Sequence, residues 1–236
     1  MKKIIALAAL AAISATASAS TNLFTDGSFE DIVQAPGTWG IASQATLTAD
    51  EGASGWKVSA APGLSGSVAG LEVRNDDVGV AEDANAQDHG NFIELDGNEN
   101  DMISQTLATQ AGKSYQITFW VADRPDQSSS FLATSGGYKF TVAGTVYIPN
   151  VGNVVVSSGS QSATGTFGTT WVEETFDFTA VSSSSVFSIW ATGKSDSLGT
   201  SFDNFQAVAV PEPAPLGLFA AGLAVLGLAA RRRRQQ

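Results

Sequence analysis

Cysteine is absent from the 236-residue chain, so it has neither a disulfide framework nor a thiolate zinc site. Histidine is nearly absent too: His89 stands alone, which excludes a multi-histidine metal centre and gives a catalytic triad a single loop residue to rest on. No glycine-rich phosphate loop or nucleophile elbow is present, and a catalytic function is not expected. Paired carboxylates could cleave glycosides in principle, but in so acidic a chain some pair always looks suitable. Positive charge is scarce, with 12 Lys and Arg against 23 Asp and Glu. Lys2, Lys3 and the four terminal arginines supply six of the basic residues, and Glu212 sits near the C-terminus. Setting these aside leaves 6 basic and 22 acidic residues in the body, a net charge of −16. Such a surface repels nucleic acid and anionic lipid headgroups, so neutral sugars, cations or other proteins are the expected partners. Helical periodicity is also missing: outside the two ends no run of ten residues carries it.

What is present is alternation with a period of two. In SYQITFWVA, Tyr115, Ile117, Phe119 and Val121 share one face, while Gln116, Thr118 and Trp120 share the other. In VFSIWAT, Phe187, Ile189 and Ala191 oppose Ser188, Trp190 and Thr192. WVEETFDFTA sets Val172, Phe176 and Phe178 against Glu173, Thr175 and Asp177. NFIELDG and MISQTL read as two strands joined by a polar turn, and YKFTVAGTVYIP as a hairpin turning at Ala143 and Gly144. Strands separated by Gly, Ser and Asn turns, without helices between them, predict an all-β fold, a β-sandwich or jelly roll, over residues 20–209.

Both ends read as addresses. Residues 1–19 combine a basic start, an apolar stretch over residues 4–13 and small residues at Ala17 and Ala19, the build of a signal peptide cut after Ala19. Residues 210–236 begin with Pro211, Glu212 and Pro213, which continue neither strand nor helix. Residues 216–230 follow without a charge. As a single hydrophobic helix they would span roughly 22 Å, a marginal membrane crossing. Arg231, Arg232, Arg233 and Arg234 would then stay in the cytoplasm and leave the body outside the inner membrane.

The ordered set of Pro-Glu-Pro, apolar segment and arginine cluster resembles the PEP-CTERM sorting signal. That resemblance implies processing by an exosortase, transient residence in the inner membrane and delivery to the cell surface or extracellular matrix of a Gram-negative, exopolysaccharide-producing bacterium. A plain C-terminal anchor is the alternative. The body carries a second resemblance. NLFTDGSFED near its start, SFDNFQAVAV at its end, and GWKVSAAPGLSGSVAGLEVRN with DHGNFIELDGNENDMISQTLATQAGKSYQITFWVADRP between them are similar to galactose-binding-like, jelly-roll carbohydrate-binding domains. The acidic insert NDDVGVAEDANAQD departs from that pattern.

Candidate sites follow from both readings. Trp120 and Trp190 fall on the polar phases of their strands, beside Gln116, Thr118 and Ser188. An indole among hydroxyl and amide groups suits a pyranose ring, though both rings could equally be ordinary packing beneath a covered sheet. Trp56 reads as a core plug, while Trp39 and Trp171 sit at strand starts or in loops. The jelly-roll resemblance implies a structural Ca²⁺ between the first and last strands, held by Glu30 and Asp203 with help from Asp26. A solvated acidic edge is the plainer reading. DGNEND imitates the start of a calcium loop with Asp96, Asn98 and Asn100. It departs from an EF-hand where Asp101 replaces glycine and Leu107 the bidentate glutamate.

These readings combine into an exported, non-catalytic polysaccharide-binding module of the cell surface or matrix. The alternative is a structural exopolysaccharide or biofilm matrix protein without a sugar pocket. An ice-binding role would need a regular threonine array, and TGTFGTT is too short to supply one.

Overall fold

In the computed structural model, residues 21–48, 54–64, 70–75, 86–88, 90–122, 137–143, 145–147, 161–162, 171–211 and 231–232 are described. The chain divides into two compact units, Thr21–Val210 and a second comprising residues 1–20 and 211–236. Outside the described residues lie the expected signal segment with Ala17 and Ala19, His89, most of the acidic insert, TGTFGTT, Glu212, Pro213, Arg233, Arg234 and the apolar run 216–230. Pro211 is described, and Arg231 and Arg232 are helical and exposed. Among the described residues no helix is long and apolar enough to cross a membrane.

Among the described residues of the larger unit are twelve strands: β1 (Trp39–Ala42), β2 (Lys57–Ala60), β3 (Leu71–Asn75), β4 (Asn91–Glu94), β5 (Asp101–Ala108), β6 (Ser114–Ala122), β7 (Gly137–Val142), β8 (Thr145–Tyr147), β9 (Gln161–Ser162), β10 (Val172–Thr179), β11 (Ser184–Ala191) and β12 (Ser201–Ala209). Sheet I runs β1-β3-β4-β12-β6-β10. Sheet II runs β2-β5-β11-β7-β8, with β9 also pairing to β7. Every ladder is antiparallel. Two facing antiparallel sheets, between which successive strands cross except at β3–β4 and β7–β8–β9, make the jelly-roll sandwich that the alternation predicted.

The predicted phases hold. Ile117, Phe119 and Val121 of β6 meet Phe187 and Ile189 of β11 and Phe140 of β7 in one core. Strand membership differs from the simplest reading of NFIELDG and MISQTL: β4 lies in sheet I and β5 in sheet II, so their polar turn crosses between layers. The β7–β8 hairpin forms as expected, with Val142 opposite Thr145 and Ala143 at φ 50. One short helix was not anticipated, α1 (Gln44–Thr48). Five residues are too few to show a period. The Ser43 hydroxyl caps α1 by accepting from the Thr46 N–H at 3.2 Å, and Leu47 is buried in the core.

The two motifs that frame the body meet in space. Asn22 substitutes for a strand along β12: its Nδ2 donates to the Phe205 carbonyl at 3.0 Å and its Oδ1 accepts from the Ala207 N–H at 2.8 Å. The Phe205 N–H donates to the Gly27 carbonyl at 2.8 Å. A Cβ on Gly27 would overlap the Phe205 carbonyl oxygen, so the close approach requires glycine. β12 carries a bulge between Asp203 and Gln206, with Asn204 at φ 49. The extra residue turns both Phe202 and Phe205 inward while Asp203 faces out. Trp56 is fully buried, stacks on Phe24 and Phe29 at ring-centre distances of 5.3 and 5.5 Å, and donates from Nε1 to the Asp26 carbonyl at 2.9 Å. It is the core plug the sequence suggested.

Candidate functional site

Trp120 and Trp190 both point out of the sandwich and both are half-buried. They belong to different sheets, so they face opposite ways, and the five residues grouped by polar phase separate into two sets. Gln116, Thr118 and Trp120 lie on the outer face of sheet I, where Trp120 stands opposite Asp203 and Glu173. Ser188 and Trp190 lie on the outer face of sheet II, where Trp190 stands opposite Met102 and Lys139. No single sugar can touch both rings.

The two faces have different surroundings. On sheet I, Glu72 and Arg74 of β3, Phe92 and Glu94 of β4, and Asp203 of β12 all alternate with core residues and so point outward, yet each is at most 3 % exposed. Loop residues back them. Phe92 packs edge-on against Trp171 with ring centres 5.8 Å apart, and Ala86 joins that cluster. The Gly199 N–H donates to Glu94 Oε1 at 2.6 Å, and the Gln87 N–H donates to Asp203 Oδ2 at 2.8 Å. Gln116 is tied to Asp177, Nε2 to Oδ1 at 3.1 Å.

On sheet II a cavity of about 320 Å³ opens beside Trp190, lined also by Lys139, Asn100, Thr192, Pro62 and Leu64. Its wall is apolar where the indole, Pro62 and Leu64 stand, and Lys139 gives it an ammonium donor. That combination can hold a ring with one apolar face and hydroxyl or anionic substituents. Sequence reasoning singled out Trp190 and Ser188, set Thr192 on the same polar phase and gave Asn100 to a calcium-loop-like stretch, but passed over Lys139. The signal for Lys139 was available: it alternates with Tyr138, Phe140 and Val142, so it must face outward with Thr141. Tyr138 itself is buried in the core.

The carboxylates expected to hold calcium are partly gathered. Asp203 is fully buried, and both its oxygens accept backbone N–H groups, from Gln87 at 2.8 Å and Asn204 at 2.6 Å. Burial, with Asp88 and Glu30 nearby, pushes its carboxyl up to about 8. Glu30 is exposed; its Oε1 accepts from the Asn91 N–H at 2.6 Å, and a Cβ on Gly90 would collide with it. Asp26 lies beside Asp31 and Glu30. Burial raises its carboxyl to about 6, and its Oδ2 is buried without a hydrogen-bond partner. The structure thus groups Asp203 with Glu30 and Asp88, whereas Asp26 couples to Glu30. Among the described residues no three acidic or histidine side chains form a group fit for a metal ion. Calcium here would need backbone carbonyls and water to complete six to eight oxygen ligands.

Comparison with known proteins adds two findings. Residues 209–234 match the PEP-CTERM protein-sorting motif, as the order of its parts suggested, and this motif marks the chain for export and surface sorting. No curated protein matches the chain. Solved structures with a similar chain path include TmCBM61 in complex with β-1,4-galactotriose, at 16% identity and TM-score 0.42, covering 81% of this chain and 100% of that one. A native family 35 carbohydrate-binding module from Clostridium thermocellum matches at 17% identity and TM-score 0.38, over 58% and 91% of the two chains. The arabinose-bound MgGH51 α-L-arabinofuranosidase matches at 16% identity and TM-score 0.44, over 80% of this chain and 26% of that one. What this chain binds has to be argued from its own residues.

Proposed function

We propose that Thr21–Val210 is a non-catalytic polysaccharide-binding domain, carried to the cell surface or extracellular matrix by its sorting motif. In this reading the segment with Pro211, Glu212 and Pro213 is handled by an exosortase at the inner membrane of a Gram-negative cell. The body then works outside among exopolysaccharide chains, with calcium at Glu30 and Asp203 as a structural aid. The observation that carries the proposal is the cavity beside Trp190, where a half-buried indole, an ammonium group and open space coincide on the outer face of sheet II. Sugar C–H faces stack on such a ring, and the hydroxyls or carboxylates at the sugar's edge meet Lys139.

Affinity electrophoresis against the producer's own exopolysaccharide, in calcium, tests it. Retarded migration of the parent, lost in Trp190→Ala and kept in Trp120→Ala, is the expected result. Unchanged mobility of the parent across a broad panel of neutral and acidic glycans would sink the proposal and leave a structural matrix protein in its place.

A further inference from the structure

A second polar centre lies inside the sandwich, at the end where residues 95–101 meet residues 191–200. Asp101 opens β5 in the inward phase of Ile103, and its N–H donates to the Leu95 carbonyl at 2.7 Å. Continuing the β5–β11 register by two residues sets Thr192 opposite Asn100, and continuing the β4–β12 register by one sets Thr200 opposite Leu95. Asn100 is locked there: its Nδ2 donates to the Gly193 carbonyl at 2.7 Å and its N–H to Ser195 Oγ at 3.2 Å. The first of these bonds fixes the amide orientation, because a flipped amide would turn its oxygen toward a carbonyl.

Three buried side chains here have oxygens without a hydrogen-bond partner among the described residues. Both carboxylate oxygens of Asp101, Oδ1 of Asn100 and Oγ1 of Thr200 lack any hydrogen-bond partner. The residues are 1%, 8% and 2% exposed. Charge is equally unbalanced. Glu72, Glu94, Asp96 and Asp101 are buried at this end, and the one buried cation among them, Arg74, is committed to Glu72 at 2.7 Å and Glu94 at 3.6 Å. Among the described residues, four negative charges against one positive leave −3. Lys194 does not offset them, since it is 69% exposed and pairs with Asp196 at the rim. Buried charge of one sign is costly unless a counter-charge joins it.

We infer that this end of the sandwich binds a divalent cation of the calcium class, with Asp101 as its anionic ligand and the oxygens of Asn100 and Thr200 as neutral ones. All are hard oxygens, the donor type calcium prefers, and backbone carbonyls and water complete the shell. A single carboxylate among neutral donors places the site in the weak, extracellular range of about 10⁻⁴–10⁻³ M. This fits a secreted domain, where calcium is plentiful. In the metal-free chain, burial together with Asp96, Glu99 and Glu72 pushes the Asp101 carboxyl up to about 8. A proton there cancels one charge of the three and leaves the remaining imbalance in place. The site is separate from Glu30 and Asp203, whereas Asn100 also lines the cavity beside Trp190, so the cation is titrated with no glycan present.

The test is titration of the EDTA-stripped full-length chain, in mild detergent, with calcium chloride, followed by calorimetry and thermal unfolding. It is repeated in an Asp203→Asn background so that the two acidic centres cannot be confused. Calcium should bind and raise the unfolding temperature in that background, and Asp101→Asn should abolish both effects. Thr200→Val, nearly isosteric, should weaken calcium about tenfold and leave the unfolding temperature in EDTA unchanged. It also serves as the deciding variant if Asp101→Asn fails to fold. An Asp101→Asn or Thr200→Val protein that keeps the parent's calcium affinity overturns the inference. So does a parent indifferent to calcium whose Asp101→Asn variant is simply more stable in EDTA, the behaviour of a buried neutral acid.

Discussion

Replacing Trp190 by alanine removes the apolar wall of the sheet II cavity while leaving the core residues Phe187, Ile189 and Ala191 of the same strand in place. An aromatic stacking partner is worth about 0.5–1.5 kcal/mol beyond the area it buries. The expected loss of glycan affinity is therefore about tenfold or somewhat less from stacking alone. Lys139→Ala should weaken acidic glycans more than neutral ones, because only the former use its charge. Trp120→Ala should leave affinity within twofold, since its ring lies on the other side of the sandwich beside the buried Asp203. Glycan microarray binding of the three variants checks the ranking, and a Trp120→Ala protein that loses as much as Trp190→Ala would transfer the site to sheet I. Sequence phase identified both tryptophans as outward-facing, because alternation of Cβ direction is a local property of any strand. It could not tell an open face from a covered one. Glu72, Arg74 and Asp203 have the same polar phase as Ser188, yet they are buried by loops that no local pattern announces.

The strands themselves were legible wherever alternation ran for seven or more residues, as in β6, β10 and β11. Their sheet membership was not. Pairings such as β6 with β12 and β5 with β11 close over 80 residues or so of chain, and nothing in either strand's own sequence names its partner. The exception is the framing pair of motifs, NLFTDGSFED and SFDNFQAVAV, whose resemblance to known domains foretold that the ends of the body meet. The structure supplies the physics: Asn22 satisfies two backbone groups of β12, and Gly27 lets the two segments touch. Asn22→Ala leaves the Ala207 N–H and the Phe205 carbonyl without those partners, at a cost of about 1–3 kcal/mol. Gly27→Ala forces a Cβ against a backbone oxygen that cannot rotate away, so it should be at least as damaging. Urea unfolding of both variants measures this. Parental midpoints for the two together would mean that the first segment does not hold β12.

For the whole molecule the dominant fact is charge: a body at −16 whose described residues bury five carboxylates, Glu72, Glu94, Asp96, Asp101 and Asp203, against the single cation Arg74. Asp101 and Asp203 are raised to about 8 and Asp26 to about 6, chiefly by burial, and burial raises Asp96 and Glu174 as well. The groups facing them are mainly acidic: Asp96, Glu99 and Glu72 around Asp101, Asp88 and Glu30 around Asp203, Asp31 and Glu30 around Asp26. An acid whose carboxyl lies higher in the folded state than in the unfolded chain makes the folded state hold more protons between the two values. Stability without metal must therefore fall as pH rises from about 4 to about 8, and level off above that. This is opposite to the usual carboxylate, whose pairing in the fold is lost in acid. Calcium competes for the same oxygens against protons, so it should stabilise little near pH 4 and most near pH 8, flattening or reversing the slope. Unfolding temperatures of the full-length chain in EDTA and in calcium, taken at each pH from 4 to 9, give the sign directly. If the EDTA series instead climbs toward pH 8, the buried acids are compensated by some arrangement of cationic groups, and the case for metal at Asp101 or at Asp203 collapses with it.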